Sequence, residues 1–343
     1  MTMGDAHRPR AHPHASLVEL AVALGDVDSA LLIADDARSC PACAQALSED
    51  QQLDDQARPP GEAGEAPEPP PFDRVLAAAR ARRRPAPRVP SFAAPFAVTA
   101  GMLDAVLAAV NDDVLRQPSP VPAWSLGDLV AHLAAGNALL AAAIDLPVEP
   151  EPATGAGFVG HTGRLLSWTA GWPPARVREL WRRDVEAIAA RLRAEPGLAR
   201  RQVEVGAARM PVEDHLVSRA FETWIHARDM GVAAGLRVPP PPTGSLAAMA
   251  DLAARVLNIL PPREPAAPTG AVRLTLTGPG GGSWLVRVGG ADTDATAEVT
   301  LDAVGFCLLV ADRGRPARAD VQIDGDAALA AELLATAPQL ARP

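Results

Sequence analysis

The sequence predicts a mainly α-helical protein that ends in a smaller α+β domain. Between residues 99 and 260, Leu, Val and Ala recur every three to four positions, which is typical of helices with one buried face. After the proline run at 239–242, apolar and polar residues alternate instead, as they do in half-buried strands. Two shorter helix-like stretches lie within residues 14–50. We therefore expect a short helical N-terminal unit, a helical bundle and a small α/β sandwich.

Composition and charge limit the classes of function. The 343-residue chain has no lysine among its 32 basic residues and a net charge of −9, which argues against nucleic acid as the main partner. No uninterrupted apolar run reaches about 18 residues, and the first residues lack an apolar leader, so we expect no membrane span and no export. The three cysteines fit a reducing compartment. Together these features predict a cytoplasmic protein.

Changes in composition predict the domain boundaries. Residues 1–50 form the N-terminal unit, and residues 51–90 form a Pro- and Arg-rich linker with a short basic helix, because the start of this segment has almost no bulky apolar residue. Residues 91–260 form the helical bundle. Residues 261–343 form the α+β domain.

Six helices are predicted in the bundle, and the second has the clearest start. Ser125 is a natural N-cap, and Asp128 three residues later completes a capping box. Prolines stand in the first turn of two other helices, where they are tolerated. The predicted ranges are 99–116, 125–144, 163–169, 174–195, 212–234 and 245–260.

Three residues of this bundle are candidate metal ligands. Glu222 and His226 are four positions apart, so they lie one turn apart on one helix face. His132 lies within an apolar helix and supplies a third ligand. Two imidazoles and one carboxylate leave a coordination position open, as in catalytic zinc sites. Spacing alone leaves two other interpretations open, a hydrogen-bonded core histidine and a Glu–His pair on a solvated face.

The sequence segments around these residues resemble those of a known family. VPAWSLGDLVAHL and FETWIHARDMGVAAG are similar to the two ligand-bearing segments of the mycothiol-dependent maleylpyruvate isomerases, a branch of the DinB-like metal-binding four-helix bundles. The resemblance covers roughly residues 92 to 340. Its signature positions are all filled here, by Trp124, Ser125, His132, Glu222, His226 and Asp229. It implies a divalent metal, most simply zinc, bound by the three candidate ligands.

The C-terminal segment carries β-hairpin and strand–turn–helix patterns. Two alternating runs flank the glycine turn at 278–282, and two further strand–turn–helix units follow. This tail is similar to the sterol-carrier-like C-terminal domain of the same family, which places an arginine in the active cleft. Arg315 is the nearest match for that catalytic arginine and Arg313 the second. Cys307 is expected to be a buried small apolar residue.

The resemblance implies a metal- and thiol-dependent enzyme. In the family, mycothiol as thiol cosubstrate adds to the cis double bond of maleylpyruvate, the bond rotates and the thiol leaves. Related members transfer the thiol to an electrophile. We therefore expect an isomerase or a thiol transferase acting on a small electrophilic acid, with an arginine holding the substrate carboxylate.

The N-terminal unit suggests a second class of function. Cys40 and Cys43 form a C-x-x-C motif, and with His14 they resemble the zinc-finger domain of anti-sigma factors, although Asp36 stands where that family has His. The resemblance implies a sigma factor as partner for residues 1–90 and, as the alternative function, a regulator whose bundle senses thiol or metal without turnover. The other interpretations are a helical hairpin without metal and a dithiol that forms a disulfide.

Overall fold

The computed structural model describes residues 85–152, 157–261, 263–264, 266–290 and 294–341. The predicted N-terminal unit and its four candidate zinc ligands, His14, Asp36, Cys40 and Cys43, lie outside the described residues, as does most of the predicted linker. Residues 86–343 form one unit. The boundary predicted at residue 260 within this unit stays a prediction.

Helices dominate the described chain up to residue 257, and a small sheet follows. The mainly helical, α+β character predicted from the sequence is confirmed. The α-helices are α1 (Ala94–Ala109), α2 (Asp112–Leu115), α3 (Leu126–Ala143), α4 (Gly157–Thr169), α5 (Pro174–Ala194), α6 (Val212–Ala233), α7 (Thr243–Leu257), α8 (Ala303–Val310) and α9 (Ala327–Thr336). The strands are β1 (Gln202–Val205), β2 (Ala208–Pro211), β3 (Gly270–Thr277), β4 (Gly282–Val288), β5 (Ala295–Asp302) and β6 (Gln322–Gly325). Four short 3-10 turns are Ser91–Ala93, Pro196–Arg200, Arg318–Asp320 and Ala337–Ala341.

The first predicted helix, 99–116, is wrong as a single element. Helix α1 begins five residues earlier and ends at Ala109, and the separate short helix α2 follows. The break comes at Asn111, whose side chain accepts a hydrogen bond from the backbone N–H of Val114 at 3.0 Å. Asparagine favours such an N-cap over a helix interior, so it starts a new helix.

Four long helices build the apolar core. Helix α1 packs against α6, α6 against α3, and α3 against α5, while α4 covers another side of α3. Trp181 and Leu140 are fully buried between these helices. Each large apolar side chain buried in this way contributes roughly 1.5–3 kcal/mol. Most alanines of α3 are buried with them, and small side chains allow neighbouring helices to approach.

A two-stranded hairpin precedes α6 and was not predicted. Strands β1 and β2 pair antiparallel around Gly206, whose φ of 62° is the left-handed conformation that glycine adopts readily. His215 anchors the hairpin, since its Nε2 lies 3.2 Å from the carbonyl oxygen of Val203. His215 thus connects α6 to the hairpin.

The C-terminal sheet has the order β4-β3-β5-β6. Strands β3 and β4 form the predicted hairpin, β3 runs parallel to β5, and β6 pairs antiparallel with β5. Helices α8 and α9 follow β5 and β6, as the two strand–turn–helix patterns predict. Each begins at an aspartate N-cap, Asp302 or Asp326. The sterol-carrier likeness stays a prediction.

Polar contacts join this sheet to the helices through α7. The indole N–H of Trp284 on β4 donates to Asp251 at 3.1 Å. Arg255, one turn after Asp251 on α7, makes a bidentate pair with Asp214 at the start of α6, at 2.7 and 2.8 Å. The helix that carries two candidate ligands is therefore connected to the C-terminal sheet.

Among the residues that the structure describes, two helical stretches have the length and composition of a membrane span, namely Ser91–Ala109 and Leu126–Ala143. Within their most apolar windows, 61% and 67% of the residues are buried inside the protein. Burial of that extent is typical of the core helices of a globular protein, and the second helix also carries Asp128 and His132.

Candidate metal centre

Helix α3 positions His132, and its start is fixed by the predicted capping box. The hydroxyl of Ser125 accepts from the backbone N–H of Asp128 at 3.1 Å, and the Asp128 carboxylate accepts from the backbone N–H of Ser125 at 2.8 Å. The imidazole of His132 follows about one turn after Asp128 and keeps 12% of its side chain exposed. The cap thus determines which side of α3 presents the histidine.

The three predicted ligands come together between α3 and α6. Nε2 of His132 lies 3.5 Å from Oε2 of Glu222. The rings of His132 and His226 are edge to face, with 5.4 Å between their centroids. Glu222 and His226 share one face of α6, one turn apart, as their spacing predicts. The sequence therefore selected three side chains that the fold places in one cluster.

Arg219 holds the carboxylate of Glu222. Nη2 of Arg219, three residues earlier on α6, donates to Oε1 of Glu222. Burial raises the pKa of Glu222, but Arg219 and the two histidines outweigh it and bring this pKa down to about 2. Glu222 is thus an anion at every physiological pH. Its second oxygen, Oε2, is buried and accepts no hydrogen bond within the described part of the chain.

His226 is oriented by a carboxylate that an arginine holds in turn. Nδ1 of His226 lies 3.1 Å from Oδ2 of Asp229. Arg313, which follows α8, donates to Asp229 from Nε and Nη2 at 2.9 to 3.1 Å. These contacts hold the pKa of Asp229 below its usual value despite burial, while burial lowers the pKa of His226. A neutral His226 with its proton on Nδ1 has its Nε2 lone pair available for a metal.

Aromatic and hydroxyl side chains surround His132. Its ring centroid lies 5.2 Å from that of Trp124 and 5.1 Å from that of Phe158, which meets it edge on. Oγ1 of Thr162 lies 3.5 Å from Nδ1 of His132. The unpredicted hairpin supports this wall, because Gly206 packs against the backbone and Cβ of Phe158. Helix α4 therefore closes one side of the cluster.

The donor set fits a divalent cation, although its geometry is incomplete. Among the residues that the structure describes, no group of three or more His, Cys, Asp and Glu side chains has the full arrangement of a metal site. The separation of 3.5 Å between His132 Nε2 and Glu222 Oε2 is close to the spacing of two ligands on one tetrahedral zinc, about 3.3 Å for bonds near 2.05 Å. The buried, unpartnered Oε2 of Glu222 is an atom that a cation would satisfy.

The two arginine candidates differ in their surroundings. Arg313, the second choice, reaches the cluster through Asp229, and its Nη1 donates to the carbonyl of Ala311 at 3.1 Å. Arg315, the first choice, is exposed. In the described structure it has no hydrogen bond or ion pair, so a role in the site depends on contact with a substrate.

Sequence reasoning missed several side chains of the cluster. Arg219, Phe158 and Thr162 were not selected, and neither was His161, which is fully buried on α4. The available signal was the position of Arg219, three residues before Glu222 on the same helix face. The contact of α4 with His132 had no signal in the sequence.

A cleft of about 540 Å³ lies away from this cluster. It opens between the first turn of α3, the end of α4 and the start of α5, and it is lined by residues that include Asp128, Ala131 and Trp172. None of the three candidate ligands lines it. The candidate metal ligands and this cleft therefore lie in different parts of the fold.

Several known proteins are similar to this chain. The family described as the mycothiol maleylpyruvate isomerase N-terminal domain matches residues 96–231. Two uncharacterized proteins of Mycobacterium tuberculosis, from strains CDC 1551 / Oshkosh and H37Rv, are each 30% identical over 237 residues, which is 65% of this chain and 86% of theirs. The crystal structure of the mycothiol-dependent maleylpyruvate isomerase is 18% identical with a TM-score of 0.48, and covers 68% of this chain and 92% of its own. A mutant of that isomerase gives the same TM-score at 17% identity.

Proposed function

We propose that this chain, which belongs to the family of the mycothiol maleylpyruvate isomerase N-terminal domain, is a metal- and thiol-dependent isomerase or transferase. Its substrate is a small electrophilic acid of the maleylpyruvate kind, and its cosubstrate is a low-molecular-weight thiol of the mycothiol kind. The observation that carries the proposal is the convergence of His132 and Glu222, with donor atoms 3.5 Å apart, beside His226.

His132, Glu222 and His226 would hold the metal. Two neutral imidazoles and one carboxylate suit zinc and leave a coordination position open for substrate or thiol. A bound divalent cation would supply the positive charge that lowers the pKa of an incoming thiol toward neutrality. Glu222 would offset one unit of the charge of that cation, and Asp229 would favour the tautomer of His226 whose Nε2 can bind it.

The described part of the chain favours an external thiol. Its cysteine, Cys307, is fully buried in α8, as predicted. Burial raises the pKa of the Cys307 thiol to about 12, so this thiol is not a nucleophile at neutral pH. A thiol that reacts between α3 and α6 must therefore come from a cosubstrate or from outside the described residues.

The reaction that fits these parts is reversible addition of the thiol. The thiolate sulfur forms a bond to one carbon of the cis double bond, and the π electrons move onto the conjugated carbonyl oxygen as an enolate. Rotation about the resulting single bond and return of the electrons expel the same thiolate and leave the trans isomer. An arginine stabilises the substrate carboxylate and the enolate charge, for which Arg315 and Arg313 stay the candidates.

The transferase variant of this proposal omits the last step. If the electrophile carries a leaving group, or if the adduct is stable, the carbon–sulfur bond persists and the thiol is consumed. The two outcomes share the metal and the thiol, so the metal site alone does not separate them. The sigma-factor partner and the regulatory role suggested for residues 1–90 stay predictions, because their residues lie outside the described structure.

The test is metal content and turnover of the full chain. The purified protein is expected to retain about one divalent metal per chain, measured by plasma mass spectrometry, and to isomerise maleylpyruvate or consume an electrophile only with added thiol. His226→Ala is expected to release the metal and abolish turnover while helicity measured by circular dichroism stays largely intact.

A histidine outside the cluster provides the control. His215 lies on the same helix and is bonded to the hairpin, so His215→Gln is expected to lower stability but to keep the metal. Equal metal content in the wild type and His226→Ala would contradict the proposed centre. Metal without any thiol-dependent turnover would instead favour a sensor.

A further inference from the structure

Arg219 is the one basic side chain of α6 that lies directly against the proposed metal ligands within the described structure. Its side chain is only 9% exposed, and its Nη2 donates to Oε1 of Glu222. Nη1 is buried and has no hydrogen-bond partner among the described residues. The guanidinium carbon lies 5.0 Å from the centroid of Phe158, so the aromatic ring covers one face of the cation.

A glycine on the facing helix makes room for this guanidinium. Gly136 is buried on α3, one turn after His132. A Cβ placed on Gly136 would overlap Nη1 of Arg219 and would lie 2.9 Å from its Cζ and 3.1 Å from Cε2 of Phe158. Real Cβ atoms essentially never approach other atoms below 3.0 Å, so any larger residue at 136 must displace the guanidinium.

The position of the guanidinium decides which carboxylate oxygen faces His132. With Oε1 engaged by Nη2, the other oxygen, Oε2, is the one that lies 3.5 Å from Nε2 of His132. The planar guanidinium directs its Nη2 donor at Oε1 along a fixed direction, which restricts the rotation of the carboxylate more than a flexible ammonium group would. The orientation of Glu222 thus depends on the guanidinium of Arg219. The position of this guanidinium depends in turn on the space that Gly136 leaves by having no side chain.

We propose that Gly136 and Arg219 form a positioning pair, in which the space left by Gly136 seats the Arg219 guanidinium and thereby fixes Glu222 with Oε2 directed at the bound metal. Arg219 acts through Glu222 and is a positioning residue rather than a catalytic one. The inference rests on the proposed metal site and adds to it two residues that the ligand pattern does not contain. It predicts that the metal site is sensitive to a methyl group on the opposite helix.

The first experiment measures cobalt(II) affinity of the full-length Gly136→Ala variant by competition with a chelator. Partners that orient metal ligands typically change metal affinity 10–100-fold, so we expect a loss of about that size, with an altered visible spectrum of bound cobalt(II). Alanine favours a helix interior more than glycine does, so weaker binding cannot be attributed to poorer helix formation.

Gly163 provides the matched control. It lies within α4, is exposed, and has no atom within 4 Å of an added Cβ among the described residues. Gly163→Ala is expected to bind cobalt(II) within about twofold of the wild type, since it adds the same methyl group without displacing Arg219. Loss of affinity in both glycine variants would mean a general response to the substitution and would overturn the positioning pair.

A double-mutant cycle separates displacement of Arg219 from other effects of the methyl group. In Arg219→Met the guanidinium is absent, so adding Gly136→Ala is expected to weaken cobalt(II) binding by less than about threefold further. Arg219→Lys, which keeps the charge but not the fork, is expected to fall between the wild type and Arg219→Met. If Gly136→Ala does not fold, Arg219→Lys still tests the proposal.

The outcomes distinguish this inference from the proposed function. A wild type that binds cobalt(II) together with a Gly136→Ala variant of equal affinity would overturn the positioning pair alone. Fully additive losses in the double mutant would do the same. A wild type that binds no cobalt(II) would overturn the metal centre, and the positioning pair with it.

Discussion

Two arginine–carboxylate pairs in the helical region have the same chemistry and different surroundings. In one, Arg182 of α5 pairs with Asp104 of α1, and both side chains are about 5% exposed or less. In the other, Arg219 pairs with Glu222 on the same helix, one turn before His226. The first pair connects two helices, whereas the second lies within one helix and faces another.

The difference lies in what else each pair contacts. Asp104 also accepts from Arg178, through its side chain at 3.4 Å and its backbone carbonyl at 3.3 Å, and Arg182 donates to Glu186 at 3.0 Å. These further charged partners help to hold α1 against α5. The second oxygen of Glu222, Oε2, instead lies 3.5 Å from Nε2 of His132. A pair surrounded by further charged partners supports the fold, while a carboxylate oxygen that faces histidines is suited to a ligand.

The largest expected effect is on stability, at the first pair. Asp104→Asn leaves Arg182 buried without its full counter-charge, so the free energy of unfolding is expected to fall by about 3–5 kcal/mol. Chemical denaturation followed by circular dichroism measures it. Metal bound per folded molecule is expected to stay unchanged.

An exposed pair of the same residue types is the control. Asp113 and Arg116 are 85% and 64% exposed, and they form an ion pair at 3.2 Å. Asp113→Asn is expected to change the free energy of unfolding by less than about 1 kcal/mol. Similar losses of stability in Asp104→Asn and Asp113→Asn would show that burial does not distinguish the Asp104–Arg182 pair from the exposed Asp113–Arg116 pair.

The next effect is on metal binding, at the second pair. Glu222→Gln removes an anionic ligand, so metal affinity is expected to fall by more than about 100-fold. That loss exceeds the one usually seen for residues that orient a ligand without binding the metal themselves. Titration with a chelator measures it. Glu213→Gln, in the first turn of the same helix, is expected to leave affinity unchanged because Glu213 pairs with the exposed Arg200. A smaller loss at Glu222 than at Glu213 would place the metal elsewhere.

The smallest effect compares the two C-terminal arginines. Arg313→Gln removes the partner that holds Asp229, so metal affinity is expected to fall about 10-fold. Arg315→Gln is expected to leave metal affinity unchanged and to lower turnover if Arg315 contacts the substrate carboxylate. Turnover lost at Arg313 and retained at Arg315 would remove Arg315 from the site.

Local rules in the sequence predicted the elements that carry the ligands. The capping box at Ser125 and the four-residue spacing of Glu222 and His226 depend on neighbouring residues, and both occur as predicted. The strands and helices after residue 270 follow from alternation and glycine turns, and they occur as predicted too. The hairpin β1–β2, which lies between two predicted helices, was missed.

The sequence by itself determined which helices form and which residues each one presents on a given face, because helical periodicity and capping are local. Only the tertiary structure decided that Arg219 rests on Gly136 and that Phe158 and Thr162 meet His132. It also decided that Arg313 reaches Asp229 across 84 positions. Such contacts depend on the packing of distant helices, and no spacing along the chain specifies which side chain fills the space left by a glycine on another helix.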